Sequence, residues 1–217
     1  MSRPAFDLSL YLVTDTPQCG ARGVTETAEA AARGGATLVQ LRDPHAKTRE
    51  LVDLARALKA ALSPFNVPLV INDRIDVALV AKAEGVHIGQ KDMAPAYARA
   101  LLGLDVFLGL SVGSLDELAT SDLGPVDYVG IGPYRGTATK TDAGAAIGLS
   151  GFKTVREKID LPAVAIGGIK AKHVGELVAA GADGVAVVSA ICMAEDPQAA
   201  TVELARRIEE ARDRVLS

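Results

Sequence analysis

The segment AGADGVAVV, residues 180–188, contains the sequence pattern that decides the fold. An Ala-rich stretch of helical character ends at a glycine, and a run of small and β-branched apolar residues follows. The segments GGATLVQ (34–40) and AEGVHIG (83–89) repeat this order. Continuous apolar runs of this kind are typical of strands that are buried on both faces of a parallel sheet. The pattern therefore predicts repeated units of helix, glycine stop and buried strand.

The whole chain divides into eight such units. Strands are predicted at 10–14, 37–42, 68–72, 85–89, 106–112, 128–132, 163–167 and 184–189. Helices are predicted at 27–33, 48–62, 76–82, 96–102, 115–119, 150–158, 171–180 and 197–215. Eight βα units in 217 residues fit a compact (β/α)8 TIM barrel, a single domain over residues 1–217. The alternative, a doubly wound open sheet, usually has a Gly-rich fingerprint after its first strand, where this chain has Asp15, Thr16 and Pro17.

Composition excludes several classes of partner. The formal net charge is −4 and aromatic residues make up only 4% of the chain, so nucleic acid is not an expected partner. No apolar run is long enough to span a membrane, and the first residues lack the apolar core of a signal peptide. Cys19 and Cys192 lie far apart in the sequence and have no metal-ligand spacing. We therefore expect free thiols in a reducing, cytoplasmic setting.

Polar residues at the ends of predicted strands are the candidates for function, because the active site of a TIM barrel lies at the carboxyl ends of its strands. Gln40 and Arg42 end strand 2 and share one face. A guanidinium inside the barrel mouth needs an anion, which is either a ligand or an internal ion-pair partner.

Two aspartates follow neighbouring strands. Asp73 comes after strand 3 beside Asn72, and Asp92 comes after strand 4. Converging carboxylates among amide oxygens suit Mg²⁺, whereas Zn²⁺ would require a His and Cys cluster that the sequence lacks. The alternative is that each aspartate caps the following helix. His87 is expected to fill the barrel interior rather than to bind a ligand.

Two further sites favour phosphate groups. The segment after strand 6 brings together Thr137, Thr139 and Lys140, two hydroxyls and an ammonium, unless it is simply a mobile loop. Gly168 and Ser189 follow strands 7 and 8, the usual phosphate site of this fold. The anion site formed by Arg42, Lys140 and the metal of Asp73 and Asp92 suggests a diphosphate. The site after strands 7 and 8 suggests a second phosphorylated ligand. The combination predicts a transferase that joins two small-molecule substrates.

At this point the motifs match a known family. The chain resembles thiamine-phosphate synthases over essentially its whole length. The matching segments are VQLRD (39–43), IND (71–73), GVHIGQKD (85–92), GLS (109–111), YVGIGP (128–133), TATKTDAG (137–144), AIGGI (165–169) and VAVVSAI (185–191). The family is a Mg²⁺-dependent TIM barrel. It joins 4-amino-2-methyl-5-(diphosphooxymethyl)pyrimidine to a thiazole phosphate and releases pyrophosphate, by ionisation of the pyrimidine diphosphate.

The resemblance implies a role for each site residue. Contacts with the pyrimidine diphosphate are implied for Gln40, Arg42, Asn72, Ser111 and Lys140, of which Arg42, Ser111 and Lys140 are the catalytic residues. Asp73 and Asp92 are implied as the Mg²⁺ ligands. Contacts with the thiazole phosphate are implied for Thr137, Thr139, Gly168, Val188 and Ser189. The sequence leaves the oligomeric state open.

The chain departs from the family pattern at one place. The family often has a lysine two residues after the arginine of strand 2, where this chain has Pro44, and Lys47 or Lys91 would have to supply that charge. Related thiazole tautomerases share the barrel but typically lack parts of the diphosphate site, and a barrel that only binds a phosphorylated metabolite needs no metal pair. The residues present here favour the synthase over both alternatives.

Overall fold

The computed structural model describes residues 5–136 and 144–216, and its strands form a closed barrel. The strands are β1 (Leu10–Val13), β2 (Leu38–Leu41), β3 (Leu69–Asn72), β4 (Gly85–Ile88), β5 (Phe107–Val112), β6 (Tyr128–Ile131), β7 (Ala163–Ile166) and β8 (Gly184–Val187). Each strand is parallel to the next, and β8 pairs with β1. The predicted (β/α)8 TIM barrel is confirmed, and every predicted strand boundary lies within two residues of the observed one.

Helices connect the strands on the outside of the barrel. They are α1 (Thr16–Cys19), α2 (Gly23–Arg33), α3 (Thr48–Leu62), α4 (Ile75–Ala81), α5 (Pro95–Leu102), α6 (Leu115–Thr120), α7 (Gly148–Arg156), α8 (Val174–Ala179), α9 (Ser189–Cys192) and α10 (Pro197–Leu216). The sequence pattern missed α1 and α9, because a helix of four residues carries no periodicity. It also missed the first turn of α2, which begins with Gly, Val and Thr, all weak helix formers. None of the described helices is long and apolar enough to cross a membrane.

Strand residues alternate between two apolar layers. In β2, for example, Val39 and Leu41 pack against the helices, whereas Leu38 packs inside the barrel. The interior layer also contains Tyr11 and Tyr128, which are almost completely buried. This alternation explains the continuous apolar runs in the sequence, because both faces of every strand are covered.

The closure of the barrel brings together the two cysteines, which are distant in the sequence, and the expectation of free thiols is confirmed. Cys19 on α1 and Cys192 on α9 are free thiols, both buried, and they hydrogen-bond to each other. They meet because their helices follow β1 and β8, which are neighbouring strands. The hydrogen bond with Cys19 and burial both raise the pKa of the Cys192 thiol.

Candidate active site

Three of the predicted substrate-binding residues lie on strands at the carboxyl end of the barrel. Gln40 is the third residue of β2, Asn72 is the last residue of β3, and Ser111 is the fifth residue of β5. Gln40 is buried and belongs to the barrel interior, whereas Asn72 and Ser111 are half-buried. The barrel mouth therefore combines two amides and a hydroxyl on three different strands.

Arg42 lies just past the end of β2, and its guanidinium is mostly shielded from solvent. Its Nη1 is 3.9 Å from Oδ2 of Asp15, which follows β1 on the neighbouring side of the mouth. The ion-pair alternative is thus partly correct, although the partner lies at the mouth and not within the barrel. A separation of 3.9 Å is long for a charge-assisted hydrogen bond, so the guanidinium retains donors for an anionic ligand.

The segment after β2 is organised by Asp43. Its carboxylate accepts hydrogen bonds from Thr16 Oγ1 at 2.6 Å and from the backbone N–H groups of His45 and Ala46 at 3.0 Å. Partial burial acts to raise the pKa of Asp43, but these three hydrogen bonds prevail and lower it. The negative charge of Asp43 therefore serves the turn that contains Pro44.

Asp73 and Asp92 follow β3 and β4, and neither lies at a helix cap. The residue at the cap of α4 is Arg74, and the residue at the cap of α5 is Ala94. The capping alternative is therefore wrong for both aspartates. Asp73 has a left-handed backbone with φ of 60°, which is uncommon for a residue other than glycine.

The surroundings of these aspartates fit a hard cation. Asn72 Nδ2 donates to Asp73 Oδ2 at 2.6 Å, and the Gly89 N–H donates to Asp92 Oδ2 at 2.8 Å. Asp92 thus uses only one carboxylate oxygen in its turn. Within the described ranges, 5–136 and 144–216, there is no cluster of three or more His, Cys, Asp and Glu residues. Aspartate carboxylates are typical ligands of Mg²⁺, which fills its remaining positions with water and phosphate oxygens.

Ser111 is held from two sides. Its Oγ lies 2.9 Å from Nε2 of His87, and its carbonyl oxygen accepts from Gln90 Nε2 at 2.8 Å. His87 is buried inside the barrel on β4, as the sequence predicted. Nothing in the sequence pattern linked His87 to the active site, but the structure connects it directly to Ser111.

The proposed phosphate residues of the strand-6 segment, Thr137, Thr139 and Lys140, lie outside the described residues. The described part of this segment begins with Tyr134 and Arg135, whose backbone N–H groups donate to carbonyl oxygens of β7 and of Gly167. The start of the strand-6 segment is therefore attached to the region that follows β7.

Gly168, Val188 and Ser189 lie where the predicted phosphate site requires them, after β7 and β8. Gly168 has φ of 63°, and a Cβ there would lie 2.9 Å from the Cβ of Arg135. Glycine is therefore required here by its left-handed backbone and by its contact with the strand-6 segment, whether or not a ligand approaches. Ser189 Oγ accepts from Lys170 Nζ at 2.9 Å, which places an unpredicted cation beside the site.

Four residues at the mouth or in the barrel interior below it were missed by sequence reasoning: Asp15, Tyr11, Tyr128 and Lys170. Asp15 and Lys170 each follow a strand, so the rule that revealed Asp73 would also have found them. Tyr11 and Tyr128 carried no such signal, because an aromatic residue within an apolar strand is normally read as core. Their hydroxyl groups nevertheless belong to the hydrogen bonds that lead to Ser111.

Comparisons with known proteins identify the family of this chain. The family model described as thiamine monophosphate synthase matches residues 10–191. A thiamine-phosphate synthase from Azorhizobium caulinodans is 58% identical over 207 residues, which cover 95% of this chain and 98% of that protein. One from Xanthobacter autotrophicus is 56% identical and covers 98% of this chain and 100% of that protein.

A solved structure agrees as well. Thiamine phosphate pyrophosphorylase from Pyrococcus furiosus superimposes with a TM-score of 0.84 at 36% sequence identity, covering 94% of this chain and 96% of that structure. Since the family model and full-length relatives at this identity point the same way, the chain belongs to the thiamine monophosphate synthase family.

Proposed function

We propose that this chain joins 4-amino-2-methyl-5-(diphosphooxymethyl)pyrimidine to 4-methyl-5-(2-phosphooxyethyl)thiazole, or to its carboxylated form, and releases pyrophosphate. The product is thiamine phosphate. The observation that carries the proposal is the family membership together with the polar residues gathered at one barrel mouth, Gln40, Arg42, Asn72 and Ser111. The tautomerase and the binding-only alternatives have no specific observation in their favour.

The amides are suited to the pyrimidine. A side-chain amide provides both a donor and an acceptor, which matches a ring that carries an amino group beside a ring nitrogen. Gln40 is buried and its Nε2 donates to Tyr11 Oη at 2.6 Å, so this amide has a fixed position. We infer that Gln40 and Asn72 orient the ring, with the diphosphate toward Arg42.

Charge at the mouth is suited to the leaving group. As the bond between the methylene carbon and the diphosphate oxygen breaks, negative charge grows on the diphosphate. Arg42, Lys140 and the Ser111 hydroxyl would donate hydrogen bonds to it, which stabilises the transition state more than the ground state. The amino group of the pyrimidine stabilises the cation that remains, and the thiazole nitrogen then attacks the methylene carbon.

Asp73 and Asp92 are the residues that would hold Mg²⁺. When bound, the cation would neutralise part of the diphosphate charge and orient it for departure. The left-handed backbone of Asp73 and its hydrogen bond from Asn72 fix the position of one carboxylate before any ligand arrives.

The second phosphate is assigned to the region after β7 and β8. Backbone N–H groups near Gly168, Val188 and Ser189 would bind the thiazole phosphate, together with the hydroxyl groups of Thr137 and Thr139. Lys170 supports this assignment, since its ammonium lies 2.9 Å from the Ser189 hydroxyl and adds positive charge there.

The test is a single assay with three possible outcomes. Purified protein is mixed with both substrates and Mg²⁺, and thiamine phosphate and pyrophosphate are measured. Equimolar formation of the two products supports the proposal. Conversion of the tautomerase substrate instead, or ligand binding without turnover in either mixture, would refute it.

The single domain over 1–217 and the cytoplasmic location stay predictions.

A further inference from the structure

A chain of hydrogen bonds crosses the barrel interior and joins two of the proposed active-site residues. Gln40 Nε2 donates to Tyr11 Oη at 2.6 Å, and Tyr11 Oη lies 3.0 Å from Tyr128 Oη. Tyr128 Oη lies 3.0 Å from Nδ1 of His87, whose Nε2 lies 2.9 Å from Ser111 Oγ. Five side chains from β1, β2, β4, β5 and β6 thus form one continuous path.

The middle of this path is dry. Tyr11 and Tyr128 are 1% and 0% exposed, and Gln40 and His87 are also buried. Burial raises the pKa of both tyrosines far above the physiological range, so each hydroxyl keeps its proton. Each tyrosine therefore has one proton to donate and must accept with its oxygen.

The amide at one end sets the direction of the whole chain. The Gln40 nitrogen can only donate, so Tyr11 accepts from it. Among the contacts of the described residues, Tyr128 is the acceptor left for the Tyr11 proton, so we take Tyr11 to donate onward to Tyr128. Tyr128 in turn donates to Nδ1 of His87, which must carry no proton. A neutral imidazole then has its proton on Nε2, which donates to Ser111 Oγ. The one proton of the Ser111 hydroxyl is left for a group at the mouth.

Two glycines show that the rings in this chain have fixed positions. A Cβ at Gly109 would lie 2.5 Å from Nδ1 of His87 and 2.2 Å from Cζ of Tyr128. A Cβ at Gly130 would lie 3.2 Å from Cε1 of His87. The imidazole of His87 on β4 therefore fills the space that is left by the absence of side chains at Gly109 on β5 and Gly130 on β6.

We propose that His87 is a positioning residue, which donates from Nε2 to Ser111 Oγ and so makes the Ser111 hydroxyl an obligatory donor to the substrate diphosphate. The inference rests on the proposed function and on the proposed role of Ser111. A hydroxyl that is already oriented as a donor stabilises growing negative charge without reorganising. His87 transfers no proton and keeps the same tautomer throughout.

The kinetic test uses two substitutions, each of which replaces only one of the two ring nitrogens of His87. Glutamine at this position has an amide nitrogen near the place of Nε2, whereas asparagine replaces only Nδ1. We expect His87→Asn to lower kcat about 10- to 100-fold, as for other residues that orient a site residue, with little change in KM for the pyrimidine diphosphate. We expect His87→Gln to restore most of kcat.

A double-mutant cycle separates positioning from mere packing. If His87 acts through Ser111, the His87→Asn/Ser111→Ala pair has the kcat of Ser111→Ala alone. Val164→Ala is the matched control, since Val164 packs in the same interior layer. It should lower the unfolding temperature and leave kcat unchanged. Multiplicative losses in the pair, or full kcat in folded His87→Asn, would overturn the proposal.

A measurement on the unaltered protein covers the case in which the variants fold poorly. The chain has three histidines, so nitrogen-15 labelling of histidine gives a simple NMR spectrum in which the tautomer of each ring can be read. We expect the proton of His87 on Nε2. A proton on Nδ1 would mean that the chain runs in the opposite direction and would refute the proposal. This result does not depend on turnover, so it is distinguishable from a failure of the proposed function, in which the wild-type protein would form no thiamine phosphate.

Discussion

The two ends of the barrel use charged residues in opposite ways. At the amino end, Glu84, Asp127 and Asp183 each precede an even-numbered strand, and each carboxylate accepts the backbone N–H of a residue at or near the start of the strand before it. Each also pairs with a cation from the helix that precedes the odd-numbered strand; the cations are Lys59, Arg99 and Arg156. Thr37 makes the neutral version of the same contact, because its Oγ1 accepts from the N–H of Leu10.

At the carboxyl end, the ion pair of Arg42 is not a short contact of this kind. The ion pair of Arg42 with Asp15 is 3.9 Å long, whereas that of Arg99 with Asp127 is 2.6 Å long. Charges at the amino end therefore hold strands in register, whereas Arg42 at the mouth remains able to bind a ligand. Substitutions at the two ends should therefore affect different measurements, stability at one and turnover at the other.

The largest effect is expected at the mouth, on removal of the metal. We expect EDTA to lower kcat by about 10³-fold or more, because a divalent cation contributes several kcal/mol to stabilising a leaving diphosphate. Added Mg²⁺ should restore the rate, and Asp92→Asn should raise the Mg²⁺ concentration required. The urea midpoint should not change with EDTA. Full activity of the Asp73→Ala/Asp92→Ala protein in chelator would contradict the assignment of these residues.

The next effect is expected at the amino end. Asp127→Asn leaves the guanidinium of Arg99 shielded from solvent without its counter-charge, and we expect the free energy of unfolding to fall by about 3 kcal/mol. Urea denaturation followed by circular dichroism measures this loss. The kcat of the folded protein should be unchanged.

A matched control for this prediction lies at another repeat of the same contact. Asp183 is 45% exposed and its distance to Arg156 is 3.5 Å, so Asp183→Asn should cost less than about 1 kcal/mol. Equal losses of unfolding free energy in the two variants would contradict a role for the ion pairs. The carboxylate hydrogen bonds to the backbone would then be what holds the strands.

The third effect is expected when a cation at the mouth is replaced, and it should lower turnover without lowering stability. We expect Arg42→Gln and Lys140→Ala each to lower kcat by about 10²- to 10³-fold, since each removes one contact to the growing charge of the diphosphate. The free energy of unfolding of Arg42→Gln should change by less than about 1 kcal/mol, because its ion pair is long.

Saturating both substrates isolates this effect from binding. With Pro44 at the position where the family often has a lysine, fewer cations share the diphosphate, and the loss should lie at the upper end of that range. A kcat within about threefold of the wild-type value for Lys140→Ala would identify Lys140 as an ordinary solvent-exposed lysine.

The fold was predictable because its signal is repeated. Buried parallel strands read as apolar runs, and eight of them in order leave few alternatives to a barrel. The same logic located Gln40 and Asn72 at strand ends, whereas Ser111 was identified through the family resemblance. It could not exclude helix capping by Asp73 and Asp92, because a capping aspartate and a metal ligand occupy similar places in a βα unit. The structure shows that other residues stand at the caps of α4 and α5.

The hydrogen-bond chain to Ser111 was not predictable from sequence. Tyr11, His87 and Tyr128 come from strands that are distant in the chain, and their contacts depend on register and on the space left by two glycines. Likewise, the meeting of Cys19 with Cys192 depends on barrel closure, which joins the first strand to the last. Such contacts follow from the three-dimensional arrangement of strands and leave no local pattern.

The smallest effect, and the one that combines both kinds of measurement, is expected at Gly168. With φ of 63° and a Cβ that would lie 2.9 Å from the Cβ of Arg135, Gly168→Ala is strained before any ligand binds. A left-handed conformation costs a residue with a Cβ about 1–2 kcal/mol, so we expect a loss of stability of that size. Gly175→Ala is the control, because Gly175 lies within α8 with open space around its Cα and alanine favours the helix.

Gly168→Ala should also discriminate between the two substrates. The backbone N–H groups near Gly168 are assigned to the thiazole phosphate, and a lost hydrogen bond to a charged group costs about 1.5–3 kcal/mol, or roughly tenfold or more in affinity. The residues proposed to bind the pyrimidine diphosphate, apart from Lys140, lie on or next to β2, β3 and β5, away from this glycine. Calorimetric titration with each ligand in turn measures the two affinities. Gly168→Val should enlarge the same difference, since its side chain extends further toward the strand-6 segment. Equal losses for both ligands in a folded variant would mean that the strand-6 segment transmits the change across the mouth, and that the two phosphate sites are not independent.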